Sequence, residues 1–191
     1  ATRAYICFMG PPIKGGDWSD KGVEGVFRFL ARLWRLGREV AERTEPEGST
    51  ENESGGSSRT KRVAPKGSAL ASTEPPLVKG AARELLAKSH WAIDKATRDI
   101  DPRFQFNTAI AAVMELVNKI YELKDGLYQD PTGAAAVRFS TATAASLLFP
   151  FAPHLGSEIY EWLTGERVWE QPWPEADEKL RERDTFMLVI Q

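Results

Sequence analysis

Cysteine is almost missing from this chain. One thiol in 191 residues, Cys7, excludes an internal disulfide and a cysteine-rich metal centre. Histidine is nearly as scarce, and His90 and His154 have no ligand cluster around them, so both read as structural side chains. No apolar run approaches the roughly 20 residues of a membrane-spanning helix, and the N-terminus has neither the charged start nor the apolar core of a signal peptide. The expectation is a cytoplasmic chain with no membrane partner. An excess of charge of either sign is missing too: 25 Lys and Arg against 27 Asp and Glu leave a net charge of -2. That excludes a globally basic nucleic-acid binder but leaves open how charge is arranged on individual faces. Glycine-rich phosphate loops, a nucleophile elbow and the zinc-protease helix signature are absent. Acidic residues such as Glu84 and Asp94 lie four before Lys88 and Arg98, the spacing of ion pairs on a helix surface rather than of a catalytic dyad. No catalytic residue and no metal ligand is assigned.

What the chain does contain is helical periodicity, with 42% hydrophobic and 27% charged residues, enough to build a core. Ser19 is a natural N-cap before a helix from about Asp20 to Arg43. Its expected core face holds Val23, Val26, Phe27, Leu30, Leu33, Trp34, Gly37 and Val40, and Lys21, Arg28, Arg32 and Arg35 gather on the other side. That basic row could grip phosphates; Glu24 before Arg28 and Glu39 after Arg35 could equally neutralise it as surface pairs. Residues 44–76 are poor in apolar side chains and rich in Ser, Gly, Glu and Pro, which predicts a disordered, solubilising insertion. Further helices are predicted over about Lys79 to Ile100, over "RFQFNTAIAAVMELVNKIY" with a turn or cap at Gly126, and over the small-residue run from Ala134 to Phe149. A short fifth follows Pro150 and Pro153 and carries Ile159, Tyr160, Trp162 and Leu163. "VWEQPWPEAD" reads as an aromatic connector over the bundle, and "TFMLVIQ" has strand-like composition. The residues alone predict an all-α antiparallel helical bundle with one long insertion.

At "ATRAYICFMGPP", "DWSDKGVEGVFRFLARLWRL", "DIDPRFQFNTAIAAVMELVN" and "FAPHLGSEIYEWL" the sequence resembles the leucyl-tRNA synthetases, class I aminoacyl-tRNA synthetases. The resemblance implies the anticodon-binding type of bundle. Residues 1–18 would be the end of a stem-contact segment and linker, and residues 19–182 the helical domain with its insertion at 44–76. Residues 183–191 would begin a truncated C-terminal β domain. Implied partners are tRNA, in particular a leucine tRNA, and the catalytic and C-terminal domains of a parent chain. Because leucine anticodons are varied, such a bundle is expected to position tRNA through its backbone, which calls for cations that meet phosphates. The candidates are Lys21, Arg28, Arg32 and Arg35, with Lys14 and Trp18 in the preceding loop. Asn107 and Asn118 are candidate polar contacts, and Trp34, Trp91, Trp162 and Trp169 are read as packing residues. Neither class I ATP-binding signature occurs in the sequence, so ATP with Mg belongs to the parent ligase, and the fragment is expected to hold no cofactor and to be inactive alone. The competing reading is a non-catalytic helical scaffold or protein-interaction module without specific RNA binding.

Overall fold

A computed structural model describes residues 1–10, 16–44, 70, 73–75 and 78–181. Among these residues the chain forms seven α-helices: α1 (Thr2–Phe8), α2 (Asp20–Thr44), α3 (Gly80–Ile100), α4 (Phe106–Leu127), α5 (Pro131–Leu148), α6 (Pro153–Thr164) and α7 (Glu178–Arg181). A single 3-10 turn, Val168–Glu170, interrupts the aromatic connector. The strand expected at "TFMLVIQ" lies outside the described residues.

Local chemistry sets the boundaries. The Ser19 hydroxyl accepts a hydrogen bond from the Gly22 N–H at 3.3 Å, so Ser19 starts α2 as predicted. α5 begins earlier than Ala134, because the Asp130 carboxylate accepts from the Thr132 and Gly133 N–H groups at 2.9 and 3.0 Å and Pro131 fits the first turn. α4 runs through Gly126, which is not its cap; the helix ends at Leu127 with Tyr128 as C-cap. α6 stops at Gly165, whose φ of 75° is a left-handed cap that side chains disfavour.

The core centres on α5, whose alanine, serine and threonine side chains let neighbouring helices approach closely. Thirteen of its 18 residues are buried, and it packs against α2, α3, α4 and α6. Its hydroxyls are satisfied within the helix: Ser140 donates to the Ala136 carbonyl at 2.7 Å and Thr143 to the Phe139 carbonyl at 2.9 Å. Ser140 also accepts from the Ser89 hydroxyl of α3 at 2.8 Å, so two small polar residues join those helices.

Polar clamps tie the ends of the bundle. Arg138 of α5 donates from Nε to the Leu163 carbonyl of α6 at 2.8 Å, and from its guanidinium to the Thr44 carbonyl at 2.8 Å and the Thr44 hydroxyl at 2.6 Å. One side chain therefore satisfies carbonyls at the C-termini of both α2 and α6. His90, 3% exposed on α3, accepts from the Asp177 N–H at Nδ1 and meets Glu74 through Nε2, both at 3.0 Å. With Nδ1 accepting, Nε2 carries the proton and donates to the carboxylate. His90 is thus a structural joint, as its isolation in sequence implies.

Most of the insertion expected over 44–76 lies outside the described residues; near its end Leu70 is 3% exposed within the core cluster, and Glu74 meets His90 of α3. One expectation is corrected. The core face of α2 is rotated: Phe29 and Leu36 are buried, whereas Phe27 and Trp34 are 62% and 37% exposed. The apolar arc of α2 is wider than α5 and α6 together can cover, and the arc's other edge is left outside.

Candidate nucleic-acid interface

The outer face of α2 holds the predicted basic row. Lys21, Arg28 and Arg35 recur every seven residues, about 10 Å apart along a straight helix, and all three are exposed. None forms an ion pair among the described residues. The neutralising carboxylate expected for Arg35 is engaged elsewhere: Glu39 meets Lys124 of α4 at 2.7 Å and Arg43 at 3.6 Å. Three cations in line, without ion-pair partners among the described residues, suit contact with the phosphates of a nucleic-acid backbone.

Arg32 belongs to a different environment. It donates to the Asn118 side chain at 3.1 Å, and its guanidinium lies 4.7 Å from the centroid of the Tyr121 ring. The Tyr121 hydroxyl returns a hydrogen bond to the Arg32 carbonyl at 3.0 Å. Arg32 and Asn118 therefore hold α2 against α4. Asn107 is half-buried near the start of α4, with its Oδ1 lacking a hydrogen-bond partner.

Trp18 is 57% exposed and fixed from below. Its ring meets Tyr5 of α1 edge-on at 5.3 Å, and its indole N–H donates to Asp20 at 2.9 Å. The Tyr5 hydroxyl in turn accepts from the Ser19 N–H at 2.9 Å. A Cβ at position 22 would lie 2.5 Å from the Tyr5 ring, so Gly22 lets α1 close against the start of α2. Lys14 lies outside the described residues. Among the tryptophans read as packing, Trp91 and Trp162 are partly buried against the core and Trp34 meets Trp162 at 4.7 Å, whereas Trp169 is 55% exposed.

Sequence reasoning missed a cation and aromatic seam between α2 and α4. Arg43 lies 4.7 Å from the Tyr128 ring centroid, and Lys124 lies 5.6 and 6.0 Å from the Tyr121 and Tyr128 centroids. Burial opposes the charge of Lys124, but hydrogen bonds to Glu39 and Asp125 outweigh it and raise its pKa. Burial, with Glu39 nearby, pushes the Tyr128 hydroxyl well above the usual phenol range. The spacing of Tyr121, Lys124 and Tyr128 by three and four was the available signal, but their partner lay on a distant helix.

The family pattern described as the anticodon-binding domain of tRNA ligase matches residues 82–191, more than half of the chain. A leucine–tRNA ligase of Nitratidesulfovibrio vulgaris (strain DP4) is 40% identical over 191 residues, 100% of this chain and 21% of that protein. The corresponding ligase of Syntrophobacter fumaroxidans is 38% identical over 100% of this chain and 20% of its own length. The chain thus spans about a fifth of these curated relatives. A crystal structure of the Agrobacterium radiobacter K84 agnB2 LeuRS–tRNA–LeuAMS ternary complex superposes with a TM-score of 0.67 at 28% identity, covering 94% of this chain and 20% of that one. Helix order, the all-helical fold and sequence agree: the chain belongs to the anticodon-binding domain family of tRNA ligases and is similar along its whole length to leucine–tRNA ligases.

Proposed function

We propose that this chain is the tRNA-positioning bundle of a leucine–tRNA ligase, whose longer parent attaches leucine to its tRNA at the expense of ATP. The observation that carries the reading is the row of exposed cations at Lys21, Arg28 and Arg35, without carboxylate partners among the described residues. In this reading the row lies along the tRNA backbone, and Trp18, held by Tyr5, offers its free face beside it. Arg32 acts indirectly by fixing α2 on α4. ATP and magnesium are handled by the remainder of the parent, since this sequence carries neither class I signature.

The test replaces Lys21 and Arg28 together by Ala and follows affinity for a leucine tRNA at several salt concentrations. Neither side chain bears on the core, so the fold should survive. The expected result is weaker binding, with the logarithmic salt slope reduced by about one for each phosphate that is no longer neutralised. Unchanged affinity and slope would remove both residues from the interface and leave the scaffold reading.

A further inference from the structure

Phe27 and Trp34, two turns apart on α2, form one wall of a cleft of about 530 Å³. The other wall is the turn from Phe151 to Leu155 that leads into α6, and Arg3 of α1 borders one end. One side of Trp34 packs on Trp162 at 4.7 Å, yet the residue stays 37% exposed, and Phe27 is 62% exposed. Paired exposed aromatics lining a depression mark an interaction site on a folded protein. Among the described residues, its charged or titratable side chains are Arg3, Arg35 and His154, and no carboxylate lines it.

We infer that this cleft seats a segment from the remaining four-fifths of a longer ligase polypeptide, one that offers an apolar side chain to Phe27 and Trp34 and a carboxylate to Arg3. The inference rests on the reading of this chain as part of such a ligase. Two observations select a protein segment over RNA. The relatives that match this chain throughout are about five times as long, so a large body of polypeptide has to find a surface on it. The walls are mostly hydrocarbon, supplied by Phe27, Leu30, Ala31, Phe151 and Leu155, and take an apolar side chain that leaves no polar group unpaired, whereas the several polar edge atoms of a nucleobase would meet only Arg3, Arg35 and His154. Arg35 stands at the border between the cleft and the cationic row, so the test avoids it.

Hydroxyl-radical footprinting tests the inference by comparing side-chain oxidation of Phe27 and Trp34 in the 191-residue chain and in the full-length ligase, each with and without leucine tRNA. The expected result is at least about fivefold slower oxidation of both residues in the RNA-free ligase than in the chain alone, as burial at the centre of an interface requires. Equal rates in the two RNA-free samples would overturn the inference, and so would protection that begins only when tRNA is added, which would make the cleft an RNA site. In parallel, Phe27→Asp should lower the melting temperature of the ligase and leave that of the chain unchanged; an unchanged ligase would count against docking. If Phe27 and Trp34 stay accessible while loss of Lys21 and Arg28 weakens tRNA binding, the docking inference falls and the tRNA-positioning function stands.

Discussion

Asp99, in the last turn of α3, is fully buried, although aspartate is among the residues least tolerant of burial. Lys95 pairs with it from one turn earlier, and Arg103 approaches at 3.6 Å. Burial by itself would raise its pKa, but the hydrogen bond from Lys95 and the charges of Lys95 and Arg103 outweigh burial and hold it below the ordinary 3.8. An unfolded chain therefore takes up this proton before the folded one does as the pH falls. The stability Asp99 contributes is complete above the ordinary carboxylate range and is lost as the pH drops through its lowered folded value. Asp99→Asn should cost about 1–3 kcal/mol at neutral pH and reduce the acid sensitivity of the fold below about pH 4, measured by thermal unfolding from pH 7 to 2. Parallel pH profiles for the two proteins would refute the assignment. The spacing of Lys95 and Asp99 by four was a legible signal for that pair, but the burial of Asp99 and the approach of Arg103, which lies beyond the helix end, depend on the turn into α4.

At the scale of elements, α3 and α4 pair through crossed charges. Glu84 meets Lys119 and Lys88 meets Glu115, each at 2.6 Å, so a step of four forward on α3 is a step of four back on α4. This is the antiparallel register written in ion pairs. Hydrogen bonds to Glu84 and Glu122 raise the pKa of Lys119 in consequence. Reversing either charge, Glu84→Lys or Lys119→Glu, should cost up to about 1 kcal/mol, and the double exchange should recover most of it, measured by urea denaturation. Additive losses would mean that the pair is not coupled. The sequence made the helices legible through periodicity, N-caps and prolines, and it made Asp94–Arg98 legible as a pair within α3. It misassigned Lys88, which was expected to pair with Glu84 of its own helix, because a neighbouring helix brought another carboxylate closer. Phe27 and Trp34 were misplaced for a related reason. A wheel shows which residues share a side, and only the positions of α5 and α6 decide which part of that side is covered.

Across the whole molecule, a net charge of -2 coexists with a row of cations on α2 that have no ion-pair partner among the described residues, so composition alone hides the feature that the proposed function uses. That row was legible from spacing, whereas its freedom from Glu39 was not, because Lys124 arrives from α4 to engage that carboxylate. If the row positions tRNA, the chain should bind a leucine tRNA more tightly than an unrelated one, with affinity falling as salt rises, in a filter-binding titration with both RNAs. Equal binding of both would assign the discrimination to other parts of the parent. The grip of Arg138 on Thr44 and Leu163 has a consequence for how such a bundle varies. A residue of α5 satisfies the C-terminal carbonyl of α2, and the Glu74 contact to His90 ties the approach to α3. Positions 45–69, between Thr44 and the buried Leu70, are therefore a port in the sequence. Sequence can be lengthened, shortened or exchanged there while the helices on either side keep their ends.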